Sequence, residues 1–584
     1  IWSSAGRITE WGYVVELSIP FNQLRFQRTD GPQVWGFDAV RSYPRNQRHH
    51  IGLFPRDRSN NCYLCQAVKI EGFEGASPGK NIELAPTVTG VRTDSRADWP
   101  EGGFSNERED ADVGVTATWG MTPNLTLTTA VNPDFSQVEA DAFQLDVNQP
   151  FALYYGERRP FFTEGSDFFE TLKDVVYTRA MRDPEWGIKL SGKEGSNTIG
   201  LYAVRDRLTN LIFPGSYGSY EASLDKPSTA VVARYKRDLG SRFTLGTYVT
   251  NREGEDYYNR LIGLDADLRL TRTDQVQMQL LGSSTKYPHE VALDYSQEGG
   301  RFNDGFIAFE YDHNTRSLSW WLDYDEIGPG FRADLGFIPQ VGIRNVEGGV
   351  YHNWNSPPGS WWARILAGFE LNYYEDKNRT PIERGGEVWF QYSGIFESDL
   401  YLEVSQSDEL YSGKTFDLTS VYAQGSIRPS ASINTGLSIT VGDRIDYDNV
   451  RKGSRFQIRP WMTHRLGRHI RLELVHRFER MSVDAGRLYT ANVSYLEAIY
   501  HFSSRALLRS IVQYVHYDYN PAAYTFKKDP QYKRLSSQWL FSYKINPRTV
   551  LYFGYSDNHY GAANGNLVQY DRTLFAKLGY AWIL

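Results

Sequence analysis

Cysteine is nearly absent from this sequence, with 2 in 584 residues. That excludes a scaffold built on disulfides. Methionine is almost as scarce, at 5. No stretch approaches the roughly 20 consecutive apolar residues of a spanning helix, so a helical membrane protein is excluded as well. An excess of one charge is also missing. Lys plus Arg is 63 and Asp plus Glu is 70, for a net charge of −7. Nucleic-acid binders carry a basic face or stripe, and this balance argues against one. His-Glu-x-x-His and phosphate-binding glycine loops do not occur. Helical periodicity is nearly absent.

Aromatic residues are plentiful. Tyr 39, Phe 31 and Trp 15 make up 15% of the chain. The mean hydropathy of −0.50 suits a soluble protein. It also suits a transmembrane β-barrel, because lipid-facing apolar residues there alternate with polar lumen residues. Alternation of period two recurs from about residue 83 onward. Ile262, Leu264, Ala266, Leu268 and Leu270 alternate with Gly263, Asp265, Asp267 and Arg269. Ala363, Ile365, Ala367, Phe369 and Leu371 repeat the pattern, as do Trp539, Phe541, Tyr543 and Ile545. Sandwich strands average about five or six residues. These runs reach about 9–15, which a tilted strand needs to cross a bilayer.

Turn chemistry supports the same class. Tight turns at residues 121–124, 193–196, 238–241, 271–274, 313–315, 356–359, 429–430, 466–468, 503–504 and 546–548 carry Gly, Pro, Asn, Asp or Ser. Longer polar loops fall between them, including Ser95–Asp110, Asp206–Pro227, Tyr287–Asn303, Ile327–Val341, Asp443–Gly453 and Asn520–Leu535. The expectation is an all-β fold, a large transmembrane antiparallel barrel of about 24 strands over 83–584, with both chain ends on the short-turn, periplasmic side. The chain opens at Ile1 without a signal peptide, which is compatible with export.

The last strand places Lys577, Gly579, Trp582 and Leu584 in a pattern that resembles the terminal insertion signal of outer-membrane barrels. The final residue of that signal is usually aromatic, and here it is Leu584. The resemblance implies the barrel-assembly machinery as a partner during insertion and outer-membrane lipid as the resting environment.

Residues 1–80 differ. Glu16 to Phe21 contains an Ile-Pro-Phe step and precedes a Trp35-Gly36-Phe37 strand. Over about residues 8–75 this resembles the closing strands of a family-9-like carbohydrate-binding β-sandwich. The opening strands of such a sandwich are not in the chain, so the piece either lacks an upstream part or docks on the periplasmic rim. Trp11 and Trp35 are candidates for glycan stacking, and core packing is the plainer reading. Cys62 and Cys65 are spaced for a redox pair, half a zinc site with His49 or His50, or a local structural disulfide. The last suits an oxidising periplasm. Haem attachment fails because Gln66 stands where His is required.

The alternation breaks over about 132–184. Asn132 to Asp141 reads Asn-Pro-Asp-Phe-Ser-Gln-Val-Glu-Ala-Asp, and Glu157 to Gly165 reads Glu-Arg-Arg-Pro-Phe-Phe-Thr-Glu-Gly. These blocks resemble the signature of a family of outer-membrane barrels of unknown function, in which the barrel follows a family-9-like carbohydrate-binding domain. The resemblance implies a barrel, export and glycan contact, with no demonstrated activity. Phe161, Phe162, Phe168 and Phe169 call for burial, and charges buried with them call for partners. The segment is therefore expected to fold into the lumen as a plug. Its motif residues are Asp134, Gln137, Glu139, Asp141, Glu157, Arg158, Arg159 and Glu164. Asp443, Asp446, Asp448 and Asn449 could gather calcium, but a plain acidic loop is the simpler reading. Arg455, Arg459, Arg471 and Arg477 suggest an inward basic strip opposed by Glu473 and Glu479. The leading functional expectation is a non-enzymatic barrel for glycan-linked binding, passage or scaffolding of surface or periplasmic subunits, with no cofactor, no metal and no nucleic acid. The alternatives are a membrane-embedded saccharide hydrolase and an usher-like export pore.

Overall fold

The computed structural model describes all residues except 1, 22–23, 25, 27–30, 46, 61, 77–80, 133–140, 358, 547–548, 563–564 and 584. A closed antiparallel barrel of 24 strands runs from Ile82–Arg96 to Leu567–Gly579, with each strand bonded to its barrel neighbours in chain order. The seam joins the last strand to the first, with Thr573 opposite Thr93 and Gly579 opposite Thr87. Trp582 and Ile583 prolong that pairing to Leu84 and Glu83. The barrel therefore begins and ends at one rim, the rim that carries the tight turns. Long loops occupy the other rim. One holds the hairpin Thr209–Pro214 with Ser219–Leu224, the next the short helix His289–Asp294, and a third spans 328–342.

The alternation read in the sequence maps onto the two barrel faces. Leu264 is 52% exposed on the outside. Its neighbour Asp265 turns inward and accepts a hydrogen bond from Arg234 at 2.8 Å. Ile262, Leu280, Phe369, Leu371, Val388 and Val404 are exposed in the same way. On a closed barrel, a continuous outward apolar band is the surface that lipid covers. Trp119, Tyr235, Trp354, Tyr500, Tyr543 and Trp582 lie exposed toward the turn end of their strands. They form a belt at the level where amphipathic rings meet headgroups. This is an outer-membrane barrel. No helix among the described residues is long and apolar enough to cross a membrane.

Two features differ from the sequence expectation. Strand lengths run from 7 residues in Leu125–Val131 to 17 in Phe104–Gly120, a wider spread than the alternation suggested. Several stretches read as loops are ladder. Ile82–Arg96 and Phe104–Gly120 leave only 97–103 of the expected Ser95–Asp110 loop between strands, and Ile433–Asp446 with Arg451–Leu466 leaves only 447–450. Polar residues signal exposure to water on both faces, and a hairpin rising above the bilayer has that exposure while keeping its hydrogen bonds.

The N-terminal part is built of short strands among the described residues. It consists of three two-stranded pairings, Ser3–Thr9 with Gly12–Ser18, Gln33–Phe37 with Val68–Gly72, and Arg41–Arg45 with Gln47–Ile51. Isolated ribbons cannot bury both faces. Ile8 is accordingly 92% exposed and Trp11 79%. Core packing is not seen for Trp11 among the described residues, where it sits at a hairpin tip. It holds for Trp35, whose ring stacks on Phe73 at 4.4 Å and also meets Phe21 and Phe26. Cys62 and Cys65 form a disulfide. Arg58 reaches the turn-end rim and donates to Asn355 Oδ1 at 3.0 Å.

Two tests follow from this topology. Leu264→Arg places a charge in the lipid band and should destabilise the barrel by about 2–4 kcal/mol if it lies near the midplane, measured by denaturant unfolding in bilayers. Full stability with Arg there would reverse the lipid face. Cysteines placed at Asp448 and Ser356 should divide on whole cells, with impermeant maleimide reaching 448 and sparing 356. The opposite labelling would invert the barrel.

Candidate functional site in the barrel lumen

The described part of the insert, residues 141–183, meets inward-facing side chains on widely separated strands. Phe161, Phe162, Phe169 and Met181 are buried against Tyr202, Val204, Ala230 and Val232. Val175 packs with Tyr248, Leu261 and Phe306. Leu145 packs against Met481, Tyr489, Val493 and Val515 on another side of the wall. Apolar side chains at lumen positions would be costly in a water-filled pore. Here they are covered by the insert's rings, which removes both apolar surfaces from water.

Polar contacts fix the register of the insert. Gln513 accepts a hydrogen bond from the Phe143 backbone N–H at 2.6 Å and donates to the Asp141 carbonyl at 3.0 Å. Gln279 accepts from the Lys173 N–H at 3.1 Å. Lys189, only 4% exposed, points from the wall and donates to the carbonyls of Phe161 and Glu164. Phe161 lies in the one-turn helix Pro160–Thr163 and Glu164 is its C-cap residue, so the ammonium caps carbonyls that the short helix leaves free.

Glu157 and Arg159 form the polar centre of the insert. The Arg159 guanidinium grips Glu157 through two bonds, 2.9 Å from Nε and 2.6 Å from Nη2. It also donates to the carbonyls of Met181 at 2.7 Å and Thr178 at 2.8 Å, and lies over the Phe162 ring. The Thr178 hydroxyl donates to Glu157 at 2.7 Å. Burial alone would raise the Glu157 carboxyl, but the bonds from Arg159 and Thr178 outweigh it and hold the group at about 2. Asp141 pairs with Arg179 and, at 3.6 Å, with Arg158. Glu164 is exposed, and its carbonyl accepts from Lys189.

Asp134, Gln137, Glu139 and Leu584 lie outside the described residues. Lys577 and Gly579 sit at the closing seam opposite Thr89 and Thr87, and Trp582 opposes Leu84. The acidic residues considered for calcium are engaged with one another and with bases. Asp446 bonds Asn449 and Arg451, and Asp443 pairs with Lys452 at 2.9 Å. Among the described residues, no His, Cys, Asp and Glu group has a metal-binding arrangement. The basic strip is split. Arg471 pairs with Glu473 at 2.7 Å and Glu497 at 3.3 Å, and Glu479 instead accepts from Gln457 and Tyr489.

Sequence reasoning did not single out Arg252. Its side chain is fully buried and joins three loops. It donates to the carbonyl of Ala180 in the insert at 3.2 Å, of Asn210 in the hairpin at 2.6 Å and of Asp334 at 3.2 Å. The Asp334 carboxylate accepts from Tyr257 at 2.7 Å and Tyr287 at 2.9 Å. Burial pushes that carboxyl up, against the pull of the two phenols and of Arg252.

The same three loops enclose a cavity of about 730 Å³. The insert contributes Tyr155, Tyr177, Arg179 and Arg182 to its lining, the hairpin Asn210 and Glu221, and the third loop Asp334 and Phe337. Its volume is that of a small-molecule site. Asn210 Oδ1 is buried there without a protein donor. Arg182 is exposed toward the cavity and takes part in no ion pair among the described residues.

A family model described as a domain of unknown function, DUF5916, matches residues 84–186, the first barrel strands and the insert. No curated protein matches the chain by sequence. Among solved structures, the chain is similar to the FrpB iron transporter from Neisseria meningitidis at 10% identity, covering 93% of this chain and 88% of that one with a TM-score of 0.41. It is similar to the ferric-catecholate import receptor Fiu from E. coli K12 at 8% identity, 86% and 81% coverage and a TM-score of 0.40. For the ferric enterobactin receptor from Pseudomonas aeruginosa the figures are 8%, 68%, 85% and 0.37. Likeness at this level says nothing about a ligand of this chain.

The Glu157–Arg159 pair yields a pH test. A carboxyl with an ordinary value of 4.5 held at about 2 stabilises the insert above 4.5, and that contribution is lost as pH falls toward 2. Pepsin cleavage within 150–180 should therefore rise between those two values in the native protein. Glu157→Gln should be cleaved readily throughout, because removing one partner of a buried pair costs about 3–5 kcal/mol. Equal resistance of native protein and variant would show that the pair does not hold the segment.

Proposed function

We propose that this protein is a non-enzymatic outer-membrane barrel whose insert plugs the lumen and whose loop-end cavity binds a glycan. The cavity carries the reading. It offers Asn210 Oδ1, an acceptor without a donor, and Arg182, a donor group without an anionic partner, beside the phenol-bearing Tyr155 and Tyr177. A sugar hydroxyl supplies the missing donor, a sugar carboxylate or hydroxyl the missing acceptor, and tyrosine rings suit the apolar face of a pyranose. An acid-bearing oligosaccharide meets all three demands. The insert, the hairpin and the third loop line the cavity together, so a ligand there touches the plug directly. Passage through the barrel would then require the plug to yield. The N-terminal ribbons at the turn-end rim suit contact with periplasmic subunits, and Trp11 at its exposed tip suits a sugar or a protein there.

The hydrolase reading has less support. Glu221 and Asp334 are the carboxylates lining the cavity, and both Asp334 oxygens already accept phenol protons. An usher-like pore would carry a folded plug domain, whereas the described part of this insert is largely irregular with one four-residue α-helix.

Calorimetry with acidic and neutral oligosaccharides tests the ligand. Binding should favour the acidic series, and Arg182→Ala should cost about 1.5–3 kcal/mol, as for a hydrogen bond to a charged group. Binding untouched by Arg182→Ala and Asn210→Leu would place the sugar elsewhere. Removing residues 150–170 should sharply raise single-channel conductance. A conductance unchanged by that deletion would mean that the insert does not close the barrel.

A further inference from the structure

Six adjacent strands, from Arg301–Asn314 to Ser398–Tyr411, carry carboxylates on the inner wall. The register sets them side by side. Glu310 is opposite Asp323, Asp323 is opposite Glu347, and Glu370 is opposite Glu387. Glu403 follows on the next strand, opposite Trp389. Like charges directly opposite destabilise a sheet. Even so, among the described residues Asp323, Glu347, Glu370, Glu387 and Glu403 form no ion pair. Farther round the wall, Arg455, Arg459 and Arg477 likewise form none among the described residues, although Glu473, Glu479 and Glu497 stand on the same or neighbouring strands. On the acidic arc the carboxylates are gathered together instead of being alternated with bases to cancel.

Side chains in this state need water or mobile counterions. A second observation bears on the acidic arc alone. Asn345 is 7% exposed and inward, opposite Asp325, and its Oδ1 has no donor. Asp325 Oδ1 beside it has none either. Two buried acceptor oxygens on paired residues call for a cationic or N–H donor. The insert provides one nearby. Lys173 Nζ lies 3.0 Å from Glu310 and 3.0 Å from Asp325 Oδ2, at the start of the arc. It is the one base paired with the arc among the described residues.

We propose that the acidic arc is a hydrated cation path past the insert, and that Lys173 is a tethered ammonium occupying the path's first site and latching the insert there. Small cations are favoured along a wall of unpaired carboxylates, as in other acid-lined pores. A travelling cation that reaches Glu310 and Asp325 competes with Lys173 for the same oxygens, so entry and release of the latch are one event. The inference rests on the insert lying in the lumen and is independent of the glycan reading, because its test reads ion current without sugar.

The experiment is reversal potential and conductance in planar bilayers under a potassium chloride gradient. It uses the full chain, Lys173→Met, and the triple variant Glu347→Gln, Glu370→Gln, Glu387→Gln on each background. Heat-modifiable migration and circular dichroism check that each variant is folded. Lys173→Met should conduct several-fold more than the native protein and prefer cations. The triple variant should lose that preference several-fold. An anion-selective or unselective current, a preference unchanged in the triple variant, or a Lys173→Met conductance no greater than native would each overturn the proposal.

Discussion

The structure depends on the seam between its last and first strands. A strand edge facing lipid leaves a row of N–H and C=O groups with no partner, and each costs several kcal/mol. Pairing Leu567–Gly579 with Ile82–Arg96 removes the last such edge. Once the ladder closes, the outside must be apolar and the inside is left with every polar residue of the alternation. The outward leucines and inward aspartates of one strand are two results of a single constraint.

Closure creates the second problem, a wide interior. Part of the wall is apolar and needs cover, and part is charged and needs water or partners. The insert covers the first part with Phe161, Phe162, Phe169 and Val175. Arg252 then ties insert, hairpin and third loop into one body through three carbonyls. A guanidinium suits this task because it presents five donors in a fixed plane. The acidic arc belongs to the charged part of the wall, and the cavity lies where the insert meets the hairpin and the third loop.

Much of the barrel was legible in the sequence because a closed sheet in lipid leaves a period-two trace and turn residues mark one rim. Leu264 and Asp265 could be assigned to opposite faces on that basis alone. Strand ends were not legible, since a polar residue in a hairpin above the membrane looks like a polar residue in a loop. The burial of Phe161 and Phe162 and the pairing of Arg159 followed from the cost of exposing rings and burying charge. Lys189, Arg252 and Lys173 left no comparable trace. An inward lysine facing the insert and one facing water occupy the same place in an alternating pattern.

The position of the insert along the chain has a consequence for how the molecule is made. Three barrel strands precede it, and its partners lie far downstream. The Phe143 N–H bonds a glutamine 370 residues later, and Lys173 pairs with an acid 137 residues later. Contacts separated by such distances form late, after the intervening chain has been ordered. Until then the segment is an exposed run of phenylalanines, of the kind that drives aggregation in large proteins during folding. During export the chain must therefore cross the periplasm with its most adhesive stretch uncovered. The yield of mature barrel would then depend on how long this stretch waits for its wall.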